Sequence, residues 1–439
     1  MSASLAASRP VRDRAVLLLR TFLPRGTLPV GAGLLVLGAG AYAHLAVAGH
    51  TLPVAAMAGM SVLWSVVYLL GLGVFLPVEQ EITRQVAART AEGEGAGGVI
   101  RRAAALTAGL LAIIVVALTL AARLLARSLF AGDLAMVGVL GAAVLGLAVT
   151  SVSRGALAGR GRFGAYGSQL AVDGALRVAL AVTLGLLGVR SAAGFGLILT
   201  VAPLLAVAAT APGLRGALRP GPAAGWRAMG GRLGMLVVTM LLAQMVINAA
   251  VLSVRLLSPG DPAAVSALLA AAVLARLPLF VFTSVQTSLL PGLAGAAAAG
   301  DQARFRQLLA RGCAIVTVLG LGAGVPTALL GPWLTRILFA ARPVLGHGDF
   351  AWLAAGTLCY LLALVLGQAA LALSRHHAQL LSWLIGVAVL AAVTLAPGAV
   401  IHRVVLGYAA GSFTVALALA VAAVPGLYAA AGRARARST

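Results

Sequence analysis

Lysine is missing from all 439 residues, so the 32 basic side chains are all arginine. A nucleotide-binding phosphate loop needs a lysine on the phosphates and Schiff-base chemistry needs an amine, which excludes P-loop ATP hydrolysis and covalent catalysis through lysine. Acidic residues number only 10, and charged residues make up 10% of the chain against roughly 25% in a soluble domain. No Asp-x-Asp or His-Glu-x-x-His arrangement occurs, so no motif for metal-assisted glycosyl transfer or hydrolysis is present and no metal is expected. The two cysteines, Cys313 and Cys359, lie in apolar runs and read as small buried hydrophobes rather than a disulfide. A basic run is also lacking: the formal charge of +22 is spread along the chain, which leaves no stripe to grip nucleic acid.

What fills the chain is hydrocarbon. With 61% hydrophobic residues and a mean hydropathy of +1.05, it reads as an all-α, polytopic membrane protein. Windows of about 19 residues give twelve spans, near 28–48, 53–76, 103–124, 134–156, 168–188, 191–212, 233–254, 263–290, 312–332, 350–373, 378–397 and 404–428. Continuous rather than alternating apolar runs argue against a barrel. Residues 1–27 read as a retained cytoplasmic arm and 429–439 as a basic cytoplasmic tail, because the first apolar run is too long for a removable signal.

Positive charge is retained on the cytoplasmic side, so the arginines orient the bundle. With both termini inside, the inward segments hold 23 arginines and the outward loops seven: Arg123, Arg127, Arg190, Arg255, Arg336, Arg342 and Arg403. Arg177 and Arg276 fall within spans. Two matches at one offset of 214 residues suggest duplication: Leu76-Pro77 with Leu290-Pro291, and "ALAGRGRF" (156–163) with "ALALSRHH" (370–377). A duplicated six-helix unit keeps its orientation, which predicts two pseudo-symmetric lobes, 28–212 and 233–428, joined by a Gly/Pro/Arg-rich linker, 213–232, with a cavity between them.

The polar residues inside spans are the candidate site. Arg276 in "LARLPLFVFTSVQTSLLPGLA" sits near the middle of its span, where insertion costs about 2.5–3.5 kcal/mol, so it must face protein or water, and Pro278 weakens the helix beside it. Asp173 and Arg177 are spaced i, i+4 at about 14 Å depth. They either neutralise each other or line the cavity, and together Arg177 and Arg276 would make a cationic centre for a phosphate or carboxylate. Gln244 and Asn248, again i, i+4, either glue helices or bind sugar hydroxyls. Gln286 is a further candidate, with Ser284, Trp64, Ser65 and Tyr68 behind it. At the cytoplasmic rim, Arg154, Arg160 and Arg162 read as a positive-inside anchor or a gathering site for an anionic headgroup. Past Pro77, Val78, Ile82 and Val86 share one face of an expected amphipathic surface helix, with Glu79 and Glu81 expected to pair with Arg84 or Arg89, or Glu79 to serve as a proton or cation site.

The segments "FLPVEQEITRQVAAR", "RGALAGRGRFGAYG", "ARLPLFVFTSVQTSLLPGLAG", "GDQARFRQLLARG" and "LALSRHHAQLLSWL" together resemble the multidrug, oligosaccharidyl-lipid and polysaccharide flippase superfamily, and within it the polysaccharide exporters and O-antigen flippases. The resemblance implies a MATE-like, two-lobed transporter of a bacterial cytoplasmic membrane, part of cell-envelope polysaccharide assembly. Its substrate would be an isoprenoid-diphosphate-linked sugar, its surroundings membrane lipids and other polysaccharide assembly proteins. No cofactor is implied, and coupling to protons, sodium or the membrane potential stays open. Related lipid II flippases carry a cavity arginine in the eighth span, which Arg276 matches, but they have two further C-terminal spans. Drug antiporters of the superfamily rely on acidic residues in their lobes, whereas this chain offers only Asp173 within a span. A multidrug antiporter and, behind it, a membrane-embedded glycosyltransferase or polymerase are the alternatives; against the latter, the longest outward loop, about 333–349, holds one carboxylate and one histidine.

Overall fold

The computed structural model describes residues 27–221 and 225–438; within the helices, the side chains of 27, 226–230, 232, 280–281, 283–288, 291 and 423–438 lie outside the description. The N-terminal arm and the end of the C-terminal tail therefore lie outside it. Among the described residues every regular element is helical: α1 (Thr27–Thr51), α2 (Val54–Leu70), α3 (Leu76–Ala91), α4 (Gly97–Leu120), α5 (Ala122–Leu129), α6 (Leu134–Gly159), α7 (Phe163–Leu186) and α8 (Ala192–Thr210) form the first half. The second half holds α9 (Trp226–Leu257), α10 (Pro262–Ala275), α11 (Leu277–Ala298), α12 (Gln302–Phe339), α13 (His347–Ala372), α14 (His376–Leu395) and α15 (Val400–Ser438). Eleven described helical stretches are long and apolar enough to cross a membrane. The predicted eighth span is present as the broken pair α10 and α11.

The same pairing recurs in both halves. In the first, α1 packs on α7, α6 on α8, α7 on α8, and both α3 and α4 on α6. In the second, α9 packs on α14, α13 on α15, α14 on α15, and both α11 and α12 on α13. The repeated motif at 156–163 and 370–377 falls at equivalent turns, between α6 and α7 and between α13 and α14.

Small residues set the closest approaches, because lipid tails provide no hydrophobic drive between helices and packing contact must hold them together. A Cβ on Gly33 would lie 2.4 Å from the Gly167 carbonyl oxygen, and one on Gly40 2.3 Å from that of Gly174, so α1 and α7 touch backbone to backbone at two levels. A Cβ on Gly155 or Gly159 would meet Ile82 Cβ at 2.7 Å or Val86 Cβ at 2.6 Å. This corrects the expected surface helix: Val78, Ile82 and Val86 are buried against α6 and the linker residue Ala217, not laid on lipid. A π-turn, Gly71–Phe75, joins α2 to α3 without a break. The expected outward loop near 333–349 is also shorter, since α12 runs to Phe339.

The halves are tied at the end that the arginine count assigns to the outside. Arg255 at the end of α9, 7% exposed, donates from Nε to the Leu129 carbonyl at 2.9 Å and from Nη1 to that of Pro259 at 3.1 Å. Gly49 of α1 meets the Phe339 carbonyl there too.

Gly40→Ala should lower the stability of the purified protein by about 1–3 kcal/mol, as overpacking does. Gly109→Ala, at an exposed glycine where a Cβ meets nothing within 4 Å, should be neutral. Thermal unfolding of the two variants in detergent checks the contrast.

Candidate functional site

Pro278 carries no N–H and its ring crowds the preceding turn, so the helix yields at Arg276, which caps α10 and opens α11. The backbone there has φ −90° and ψ 0°. The break sets the guanidinium against α9, where Nη1 donates to Asn248 Oδ1 at 3.2 Å. Asn248 Nδ2 in turn donates to the Gln244 backbone oxygen at 3.0 Å and to Gln244 Oε1 at 3.2 Å. The i, i+4 amide pair thus orients the amide that holds the arginine.

Tyrosines complete this cluster, and sequence reasoning missed them. Tyr42, Tyr360 and Tyr408 all lie within electrostatic reach of Arg276. The Tyr42 hydroxyl donates across the seam between the halves to the Val273 carbonyl at 2.6 Å, Tyr360 to the Ala243 carbonyl at 3.3 Å, and Tyr408 shares a 3.1 Å bond with Thr357. Of the six tyrosines, Tyr42, Tyr360 and Tyr408 stand here and Tyr68 and Tyr166 at the second cluster. The available signal was scarcity: with 5% aromatics, a tyrosine in mid-span is an exception. The space beside Arg276, lined by Ile247, Ala272, Leu353, Thr357 and Tyr408 among others, lies within the second half and has no room for a water molecule.

A second cluster lies in the first half. Asp173 Oδ1 accepts from Arg177 Nε at 2.8 Å, and Asp173 Oδ2 from Arg154 Nη2 at 2.9 Å. Tyr68 sits against the Arg177 guanidinium and stacks on Trp64 with ring centroids 4.9 Å apart. Glu79 accepts from the Tyr166 hydroxyl at 2.6 Å and lies in the field of Arg154. Two guanidiniums and two carboxylates thus share one network. The Arg154 guanidinium turns inward from the rim to the second oxygen of Asp173. Glu79 does not pair with Arg84 or Arg89; Arg84 takes Glu81, and Arg89 takes Glu92 and Glu94.

The expected meeting of two free guanidiniums is therefore corrected. Arg177 is neutralised one turn from Asp173, and Tyr68 and Tyr42 stand between the two clusters. Arg276 is different. Asp133, Asp261, Asp301 and Asp349 are spent on helix N-termini, and Glu79, Glu81, Glu92, Glu94 and Asp173 bond as above. No described carboxylate faces Arg276. Arg160 and Arg162 remain at the end that the arginine count assigns to the inside. The Gln286 side chain lies outside the described residues. Among the described residues no group of acids, histidines and cysteines could hold a metal.

No family model matches the chain. Two uncharacterized proteins of Mycobacterium tuberculosis, one from strain CDC 1551 and one, Rv1510, from strain H37Rv, are 29% identical over 296 residues. That stretch is 66% of this chain and 66% of either relative, so the chain spans about two thirds of the length of the curated relatives it matches. Among solved structures, an inward-facing multidrug resistance MATE family transporter of the MOP superfamily superposes with a TM-score of 0.69 at 14% identity, covering 93% of this chain and 98% of that one. A MOP superfamily transporter from Pyrococcus furiosus, described as having a binding pocket of reverse polarity that suggests a different function, gives 0.67 at 16% identity over 94% and 96%. The MATE transporter VcmN of Vibrio cholerae gives 0.62 at 18% over 92% and 96%. The chain has the MATE fold.

Asp173→Asn would leave Arg154 and Arg177 buried without their counter-charge and should cost about 3–5 kcal/mol. Adding Arg177→Gln should recover part of that loss; thermal midpoints of the single and double variants measure it.

Proposed function

We propose that the chain is a membrane transporter that carries an anionic lipid-linked substrate, an isoprenoid-diphosphate-linked oligosaccharide or polysaccharide precursor, from the inner to the outer leaflet of a bacterial cytoplasmic membrane. It does so by alternating access between its halves, without covalent chemistry. The observation that supports this reading is Arg276: a guanidinium at the seam, held by an amide and ringed by tyrosines, with no described carboxylate to neutralise it. Arginine presents a planar fork of donors that fits phosphate oxygens bidentately, and a diphosphate would supply the missing charge. Gln244 and Asn248, with the hydroxyls of Tyr42 and Tyr408, are the groups suited to the sugar.

The contacts across the seam give alternating access its logic. The space beside Arg276 within the second half takes no oligosaccharide, so the site must open for the substrate to enter. Parting them toward the outside requires loss of the Arg255 bond to the Leu129 carbonyl and of the Tyr42 bond to the Val273 carbonyl. Export of cationic drugs is the weaker reading despite the shared fold, because Asp173 already serves two arginines and Glu79 a tyrosine. The Pyrococcus furiosus transporter, with its pocket of reverse polarity, is a solved example of this fold with a differently charged site.

In cells lacking their own lipid-linked-sugar flippase, Arg276→Ala should reduce transport about 10- to 100-fold, the worth of a lost hydrogen bond to a charged group, at unchanged protein abundance. Arg276→Lys keeps the charge but not the fork and should be intermediate. Full transport by Arg276→Ala would overturn the assignment.

A further inference from the structure

At the cytoplasmic end, two segments far apart in sequence bring arginines to one place. The turn between α6 and α7 is closed by Gly161 N–H to the Ala158 carbonyl at 3.0 Å and Arg162 N–H to the Leu157 carbonyl at 2.9 Å, with Gly161 at φ +68°. Against it runs the first part of the linker. That strand of linker is fixed: Ala217 is 4% exposed in the patch with Val78, Ile82 and Val86, and Gly97 N–H donates to the Arg219 carbonyl at 2.9 Å. Arg160 Nη1 donates to the Arg215 carbonyl at 3.1 Å, which tethers the turn to the linker.

Beside Gly216, at φ +73°, the two segments converge. A point one Cβ bond from its Cα lies 3.5 Å from Arg219 Nε and 3.6 Å from Arg160 Nη2. Arg162 is close enough that Arg162 and Arg219 add to partial desolvation in holding the Arg160 guanidinium below its ordinary range. Arg162, Arg215 and Arg219 are exposed and Arg160 half-buried, open to the headgroup layer. No described ion pair reaches any of the four, and from 174 to 232 the sequence has no acidic residue at all. Retention of positive charge on the cytoplasmic side asks only for arginines somewhere in a loop. It does not ask that guanidiniums from two segments be held together, where like charges repel.

We propose that Arg160, Arg162 and Arg219, on the turn and linker around Gly216, form a binding site for the phosphate of an anionic lipid headgroup. Guanidinium forks bind phosphate oxygens bidentately, and anionic lipid at the cytoplasmic surface is the ligand within reach. Arg154, which the sequence grouped with them, is excluded by its bond to Asp173. The site is separate from Arg276 and does not depend on what is transported. Because Arg219 belongs to the linker, a bound headgroup would clip the linker onto the first half.

The test uses the full purified chain in detergent and native mass spectrometry. Phosphatidylglycerol, phosphatidylcholine and inorganic pyrophosphate are offered separately to the wild type, to Arg160→Gln/Arg219→Gln, to Arg162→Gln and to Arg190→Gln, an exposed arginine on the opposite end. The wild type should retain phosphatidylglycerol over phosphatidylcholine. At about fivefold for each arginine near the surface, the double variant should bind it at least tenfold more weakly, Arg162→Gln several-fold more weakly, and Arg190→Gln as the wild type does. Pyrophosphate binding that depends on Arg160 and Arg219, without phosphatidylglycerol binding, would keep the phosphate site and replace the headgroup by a soluble ligand. Equal retention of the two lipids with no pyrophosphate binding, or binding that survives in both the double variant and Arg162→Gln, overturns the proposal. If the double variant does not fold, Arg162→Gln alone decides. None of these readouts involves transport, so their failure leaves the Arg276 assignment standing.

Discussion

A guanidinium at mid-membrane costs about 2.5–3.5 kcal/mol to insert, and this chain meets that cost in two ways. Arg177 carries its own counter-charge on the same helix, one turn away, and Asp173 serves Arg154 as well. Arg276 is given dipoles instead: an asparagine oxygen, and tyrosines within its field. A closed ion network rigidifies and specifies a packing. A cation held only by dipoles keeps its appetite for an anion. That difference, rather than the presence of two arginines, separates the structural cluster from the one suited to a ligand.

The scarcity of carboxylates makes the distinction sharp. With ten acids in the chain, each described one can be followed to a partner: helix N-termini in four cases, surface arginines in three, and the buried network in the remaining two. Capping uses the short aspartate side chain where orphan N–H groups need it, which leaves little acid for the interior. A seam between two halves that is cationic by omission follows from this accounting.

Much of this was legible in the sequence. Continuous apolar runs located eleven helical stretches long enough to cross a membrane, with the eighth predicted span present as the broken pair α10 and α11, since a helix must satisfy its own backbone in lipid. The offset of 214 residues pointed to equivalent turns because duplication preserves connectivity. The i, i+4 spacings of Asp173 with Arg177 and Gln244 with Asn248 named real pairs, being local. What was hidden was long-range. Nothing near Arg154 says that Asp173 lies opposite, and the face of Val78, Ile82 and Val86 reads the same whether lipid or α6 covers it. The break at Arg276 was half visible: Pro278 announced a weakened helix, but that the arginine itself would occupy the gap depends on Asn248 on the neighbouring α9.

The glycine contacts between α1 and α7 carry one more consequence. With Gly33 on Gly167 and Gly40 on Gly174 there is no cushion of side chains between the two backbones to rearrange under load. The pair must behave as a single stiff beam. Asp173 and Arg177 ride on one rail and Tyr42 on the other, so a push that pulls Tyr42 off the Val273 carbonyl carries the Asp173–Arg177 pair with it.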